Sequence, residues 1–275
     1  NVLAALTGGT TNGGIAQNGP FHSTNFTQEL RLVSSGNDAL KYVAGVFYSD
    51  AETERSFTRG PVVARASWQA INGNKSLGLF GQLDYTLPSE TTISGGVRYN
   101  REKIDVAFDN LLGTTANACA PGTPACRGSN TDSVVTWKGS ISQKLAPEVM
   151  VFASVARGHK GFAYDIVTGF NPARIDGALN GTAAGLSGTG PVRPEKSTSY
   201  ELGLKSRFFD NRVQLNLIGF YTNYNNFQAQ SAVLVGGAPT FLLNNVGKLR
   251  TKGVELELQA KATDWLRLDA GAQWT

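Results

Sequence analysis

The stretch TSYELGLKSRFFDNRVQLNLIGFYTN, residues 198 to 223, alternates with a period of two. From Tyr200 to Phe208 one side carries Tyr200, Leu202, Leu204, Ser206 and Phe208, while the other carries Glu201, Gly203, Lys205 and Arg207. Asp210-Asn211 supplies turn chemistry, after which Val213, Leu215 and Leu217 alternate with Gln214 and Asn216. Successive side chains of a strand point to opposite faces, so the pattern is a hairpin of two long strands with one apolar and one charged face. The fold class turns on what the apolar face touches: the core of a soluble sandwich, or lipid.

The chain has 275 residues, enough for one large domain or two ordinary ones. No stretch approaches the roughly 18 consecutive apolar residues that a membrane-spanning helix needs. Any membrane role therefore falls to strands. The net charge of +4 is spread along the chain with acidic residues close by, so nucleic acid is not predicted as a partner. Cys119 and Cys126 lie in ANACAPGTPACRG. A small disulfide-closed loop in an oxidising compartment is the preferred reading, with two free thiols as the other. His22 and His159 are far apart, and a zinc site needs three or four ligands at close spacing, so no metal and no cofactor are predicted. Paired carboxylates, triad spacing and a nucleophile motif are missing, so no catalytic residue is predicted either. The start, NVLAALTGGTTNGG, lacks the features of a signal peptide, and the end, LRLDAGAQWT, stops inside an alternating run. On this reading the chain is a piece of a longer protein.

Ten segments read as strands: 25–34, 39–52, 74–87, 91–106, 133–146, 149–159, 196–208, 212–225, 249–262 and 265–275. The connections fall into two alternating classes. Short turns are predicted at Ser35-Gly36-Asn37, Pro88-Ser89-Glu90, Pro147-Glu148, Asp210-Asn211 and Thr263-Asp264. Long stretches rich in Gly, Asn and Thr are read as loops at 53–73, 107–132, 160–195 and 226–248. In an up-and-down sheet alternate connections share an end, so one end carries tight turns and the other long loops, as in outer-membrane barrels. Strands of soluble proteins run to about 5 or 6 residues, whereas a tilted membrane strand needs roughly 9 to 11. The segments match the second.

The same separation of faces recurs along the chain. Leu77, Leu79, Leu83, Tyr85 and Leu87 oppose Gln82, Asp84 and Thr86; Ile93, Val97 and Tyr99 oppose Thr92, Arg98 and Asn100. Val135, Trp137, Ile141 and Leu145 oppose Lys138, Ser140 and Lys144, and Val254, Leu256 and Leu258 oppose Glu255, Glu257 and Lys261. Arg or Lys on the lipid side at mid-membrane costs about 2–4 kcal/mol, which gives the separation a physical cause. Arg98, Lys138, Glu201, Lys205, Glu255 and Glu257 are accordingly read as charges facing a lumen. On the apolar face Tyr42, Tyr85 and Phe208 fall toward the tight-turn end, and Tyr48, Tyr99, Trp137, Tyr200 and Tyr221 toward the long-loop end. The two groups are spaced like the aromatic girdles of a barrel.

With these segments in place the chain resembles the barrel domain of TonB-dependent outer-membrane receptors. The resemblance rests on FTQELRLVS (26–34) followed by YVAGVFYSD (42–50), VFASVARGHKGF (151–162), RPEKSTSYELGLKSRFFDNRVQLNLIGFYTNYNNFQ (193–228) and NNVGKLRTKGVELEL (244–258), in the family's order. It implies an all-β, antiparallel up-and-down transmembrane barrel, here a partial wall of about ten long strands with short periplasmic turns and long extracellular loops. The whole of 1–275 would be partial barrel, with the plug domain and terminal strands absent.

The resemblance also implies a location in the outer membrane of a Gram-negative bacterium and energy-coupled uptake of a scarce, bulky solute such as a siderophore-iron complex, cobalamin or an oligosaccharide. Implied partners are outer-membrane lipid, a small or oligomeric solute, and a TonB-type energy-transducing protein acting through the plug region. Arg157, His159, Lys160 and Phe162, where a strand enters the longest loop, and Tyr224, Asn226 and Phe227, leading into another, are candidate ligand contacts, since cationic and aromatic groups can hold an anionic chelate or a sugar ring. The alternatives are a passive porin or translocator barrel, and a secreted β-rich carbohydrate-binding module or enzyme.

Overall fold

Alternation over 10 to 20 residues leaves an antiparallel sheet as the natural way to pair the backbone, and the computed structural model has that form. It describes residues 16–36, 38–60, 66–111, 121, 126–164, 191–235 and 238–275. The strands are β1 Ala16–Asn18, β2 Phe21–Val33, β3 Leu40–Gly60, β4 Ala66–Thr86, β5 Thr91–Asn110, β6 Arg127–Ala146, β7 Val149–Lys160, β8 Glu195–Phe208, β9 Val213–Asn225, β10 Gln228–Val235, β11 Ala238–Asn245, β12 Lys248–Lys261 and β13 Arg267–Trp274. One 11-stranded sheet runs β1-β3-β4-β5-β6-β7-β8-β9-β12-β13, with β2 also on β3, and β10 and β11 form a separate pair. β1 and β2 lie along the same side of β3, interrupted at Gly19-Pro20, where Pro20 has no N–H to give the ladder. Ser56 N–H donates to the Pro20 carbonyl across the gap at 3.0 Å. Among the described residues the sheet is open: β2 pairs only with β3, and β13 only with β12.

All ten predicted strands are present. The long loops need correction, because β3 and β4 span 21 residues each, and β5 and β6 span 20 each, so much of 53–73 and 107–132 is strand. At about 3.3 Å per residue each of these four is some 65 Å long, twice what a bilayer needs. The stretch 226–248 also holds strands, β10 and β11. Of 160–195 the described part contains the bridge Ala163↔Val192. Asn37 and Cys119 lie outside the described residues. Cys126 is disulfide-bonded and fully buried.

Burial shows what the apolar face meets. On β5 the exposed positions up to Tyr99 are the apolar ones, and Arg98 and Asn100 opposite are more covered. Leu83 is 57% and Leu202 67% exposed, and no charged residue occurs on this face of β2–β9 or β12 between the tight turns and the tyrosines Tyr48, Tyr99, Tyr200 and Tyr221. A sheet whose apolar side chains are its most exposed ones is built for lipid. Above Tyr99 the polarity reverses: Arg101, Lys103 and Asp105 take the outer face, while Ile104, Val106 and Phe108 turn inward and are buried. With Ala70 and Cys126, and with Trp68, Phe162 and Tyr164 packed on them, they form the one cluster of buried apolar residues among those described. A single strand thus crosses from lipid to water by changing which face is greasy.

Candidate functional site

The inner face of the wall is lined by charges that lie on neighbouring rings. Arg98 stacks over Phe47 and Phe80 at 5.4 and 5.8 Å, and Lys205 lies over Phe152 at 5.5 Å. Stacking on an aromatic face orients a cation without an acidic partner. Glu201 accepts from Ser154 at 3.2 Å, Glu257 from Asn216 at 3.1 Å and Glu255 from Gln273 at 3.0 Å. Lys138 shares this face in register with Gly96. Above Arg98 a polar ladder climbs toward the extracellular end: Arg98 donates to Asn100, Ser76 to Asn100 at 3.1 Å, and Asn74 to Glu102 at 2.6 Å. The lumen side of the wall is therefore a track of fixed donors and acceptors.

At the long-loop end the chain makes a corner that local sequence did not disclose. β9 bends at Asn226 (φ 55°) and β12 is entered through Gly247 (φ 97°), a left-handed conformation that Asn and Gly tolerate best. Phe227 N–H donates to the Gly247 carbonyl at 3.0 Å and Val246 N–H to the Phe227 carbonyl at 2.8 Å, closing a neck from which the β10–β11 hairpin departs. Three side chains then tie the hairpin to the segments flanking β7 and β8. Glu195, buried, accepts from the Gln228 N–H at 2.8 Å; Gln228 Nε2 donates to the carbonyls of Gly161 and Arg193 at 2.8 and 3.0 Å. Asn245 accepts from Arg193 N–H at 2.7 Å and donates to the Arg193 and Asn226 carbonyls at 3.0 and 2.7 Å.

The seven candidate contacts divide among these features. Arg157 pairs in register with Trp137 and Thr198, on the outer face. His159 is nearly buried, its Nε2 3.0 Å from an Asp132 carboxylate oxygen. Phe162 packs on the buried cluster, and Asn226 Nδ2 donates to the Pro194 carbonyl at 3.3 Å. Lys160, opposite Glu195, remains exposed, and Tyr224 and Phe227 meet edge to face at 5.8 Å. Glu195, Gln228 and Asn245 were missed. Gly236-Gly237 between two alternating runs was a readable hairpin signal, since Val235 pairs with Ala238.

On the outer face of β3–β6 above the tyrosines, Lys75, Lys103 and Arg127 pair with carboxylates. Lys75 meets Asp50 at 2.9 Å, and the hydrogen bond and charge of Asp50 raise the lysine above its ordinary 10.5. Burial pushes the Asp105 carboxyl up, but hydrogen bonds from Ser129 and Lys103 and the charges of Lys103 and Lys75 outweigh it and leave the group below its ordinary 3.8. Burial raises the Tyr164 hydroxyl above 10.0, with Asp105 adding to it. Among the described residues no cluster of three His, Cys, Asp or Glu is placed to hold a metal ion.

An open antiparallel sheet with lipid outside, charges inside and doubled strands on one side is a section of a large outer-membrane barrel. The chain belongs to the TonB dependent receptor-like β-barrel family, whose model it matches over residues 3–275. It is 27% identical over 248 residues to the pesticin receptors of Yersinia enterocolitica and Yersinia pestis, covering 89% of this chain. It spans about a third of those curated relatives, 32% of their length. Among solved structures it resembles the ferric yersiniabactin uptake receptor of Yersinia pestis (TM-score 0.73, 23% identity, 95% of this chain and 36% of that one). It also resembles the ferripyoverdine receptor of Pseudomonas aeruginosa (TM-score 0.65, 13% identity, 94% and 33%).

Proposed function

We propose that this chain forms part of the barrel wall of an outer-membrane receptor in a Gram-negative bacterium, one that takes up a scarce, bulky solute of the ferric-siderophore class. The observation that carries the reading is the inside-out sheet, apolar outward and charged inward, in a chain of a family of transport receptors rather than enzymes. The name of one structural relative, the ferric yersiniabactin uptake receptor, favours a metal chelate over a sugar as the solute. Lys160 at the end of β7 and Tyr224 and Phe227 at the end of β9 offer a cation and two rings at the same rim, a combination suited to an anionic chelate with aromatic parts. Energy would come from a TonB-type partner acting on a plug that fills the lumen against Arg98, Glu201 and Lys205. The present strands supply wall and rim, and the moving part lies elsewhere.

Uptake of radiolabelled iron as a panel of ferric siderophores, in cells with and without the gene, tests the proposal. Loss of uptake of one chelate on deletion, and its abolition by a protonophore, is expected. Uptake that resists the protonophore, together with passage of uncharged sugars through the purified protein in liposomes, would replace the receptor by a passive pore. Tyr224→Ala with Phe227→Ala is expected to weaken chelate binding about tenfold; unchanged binding would remove the rim assignment and leave the receptor standing.

A further inference from the structure

From the tyrosines upward the outer face of β7, β8, β9 and β12 carries Arg157, Lys196, Lys248, Arg250 and Lys252 and no carboxylate of its own, the nearest being Asp132 of β6, which meets His159 opposite Lys196. Register places them together. Arg157, Thr198, Asn223 and Arg250 form one row across the four strands; Lys196, Asn225 and Lys248 form the row above, and Lys252 lies beside Tyr221 and Tyr200 in the row below. With strands about 4.8 Å apart and rows about 7 Å apart, the five cations occupy a patch of roughly 14 by 14 Å. All five are exposed, and none has an ion pair among the described residues. The contrast with β3–β6 is sharp, where Lys75, Lys103 and Arg127 on the same face are paired with Asp50, Asp105 and Asp109.

Five like charges at this density repel one another, and an anion between them relieves the repulsion. Their position says which anion. The patch begins with Lys252 in the row of Tyr200 and Tyr221, whose rings lie 6.4 Å apart at the upper border of the apolar band, and its other four cations lie in the two rows above. Tyrosines at that border sit at headgroup level, so the cations stand where the phosphates of the surrounding lipid leaflet are concentrated. Arginine offers paired N–H groups to phosphate oxygens, and Thr198, Asn223 and Asn225 between the cations add neutral donors.

We propose that this patch is a binding site for the phosphorylated headgroup of an outer-leaflet glycolipid, seated against one side of the barrel. The proposal rests on the membrane-spanning reading and adds a specific, one-sided lipid contact to it. The test places the intact receptor in phosphatidylcholine nanodiscs doped with phosphorylated lipid A or with its dephosphorylated form, and reads retained lipid by native mass spectrometry. Wild type is expected to retain the phosphorylated form selectively. Lys196→Gln/Lys248→Gln/Arg250→Gln/Lys252→Gln is expected to weaken that retention about a hundredfold, whereas the inner-face control Lys138→Gln/Lys144→Gln/Lys205→Gln/Arg207→Gln keeps it. Equal retention of the two lipids by wild type, which needs no variant to fold, overturns the site. So do full retention by the patch variant, displacement of the lipid by inorganic phosphate at equal concentration, and a change of oligomeric state as the variant's sole effect. A receptor that does not enter the disc at all overturns the membrane-spanning reading along with it.

Discussion

Glu90 adopts φ 60° in the connection 87–90 between β4 and β5, where Leu87 N–H reaches the Thr91 carbonyl and Glu90 N–H the Leu87 carbonyl. Pro88 fits the first turn position, but the left-handed third position suits glycine, and an L side chain there costs roughly 1 kcal/mol. Glu90→Gly is therefore expected to raise stability by about 0.5–1 kcal/mol in urea titrations of the micelle-refolded receptor, and Glu90→Val to lower it. Asp105 gives a pH-dependent counterpart. Its folded-state value lies below 3.8, so its contribution to stability is complete above that pH and fades as pH falls through the lowered value. Asp105→Asn is expected to lose stability relative to wild type at neutral pH and to converge with it in strong acid; parallel curves down to about pH 2 would contradict the assignment.

At the scale of the strand, ring and glycine alternate across the inner face. Phe80 lies opposite Gly45, Phe152 opposite Gly203 and Phe220 opposite Gly253, each ring close enough to occupy the place of a Cβ on its partner. At Gly253 the Trp274 backbone carbonyl of β13 also crowds that place. Gly253→Ala must push β13 from β12 and is expected to cost about 1–3 kcal/mol, while Gly95→Ala, which meets open space, is expected to be neutral. Thermal melts of the two variants in detergent check the pair. The strands themselves were legible because lipid and water impose opposite faces. The extension of β5 was legible too, in REKIDVAFDN, where the apolar residues move from odd to even positions after Tyr99. Reading 107–132 as loop ended β5 at 106 rather than Asn110 and began β6 at 133 rather than Arg127. The corner was not legible, since Glu195 and Gln228 are 33 residues apart and their contact exists only once β8 and β9 have paired.

For the whole molecule the open sheet is the governing fact. Among the described residues β2 pairs on one side with β3 and β13 on one side with β12, Phe26, Leu30 and Leu32 stand bare along one edge, and Leu268 and Trp274 along the other. Unpaired edges of this length recruit other strands. Residues 1–275 refolded alone in detergent are expected to form mixed oligomers through these edges, and a single monomeric species by analytical ultracentrifugation would show that the chain closes on itself. The candidate site was legible only in part at this scale. A lumenal charge is set by the parity of its strand, whereas a rim contact depends on how segments far apart in sequence meet.

The neck at Phe227 and Val246 separates two jobs within one chain. Below it the register of β9 with β12 continues unbroken from Lys248 opposite Asn225 down to Ala260 opposite Val213, and above it the hairpin pairs only with itself. Residues added to or removed from the hairpin tip leave every rung of the wall where it was. The tip can therefore change in length and sequence while the wall keeps its register, and a protein engineer can use the same place to graft a foreign loop.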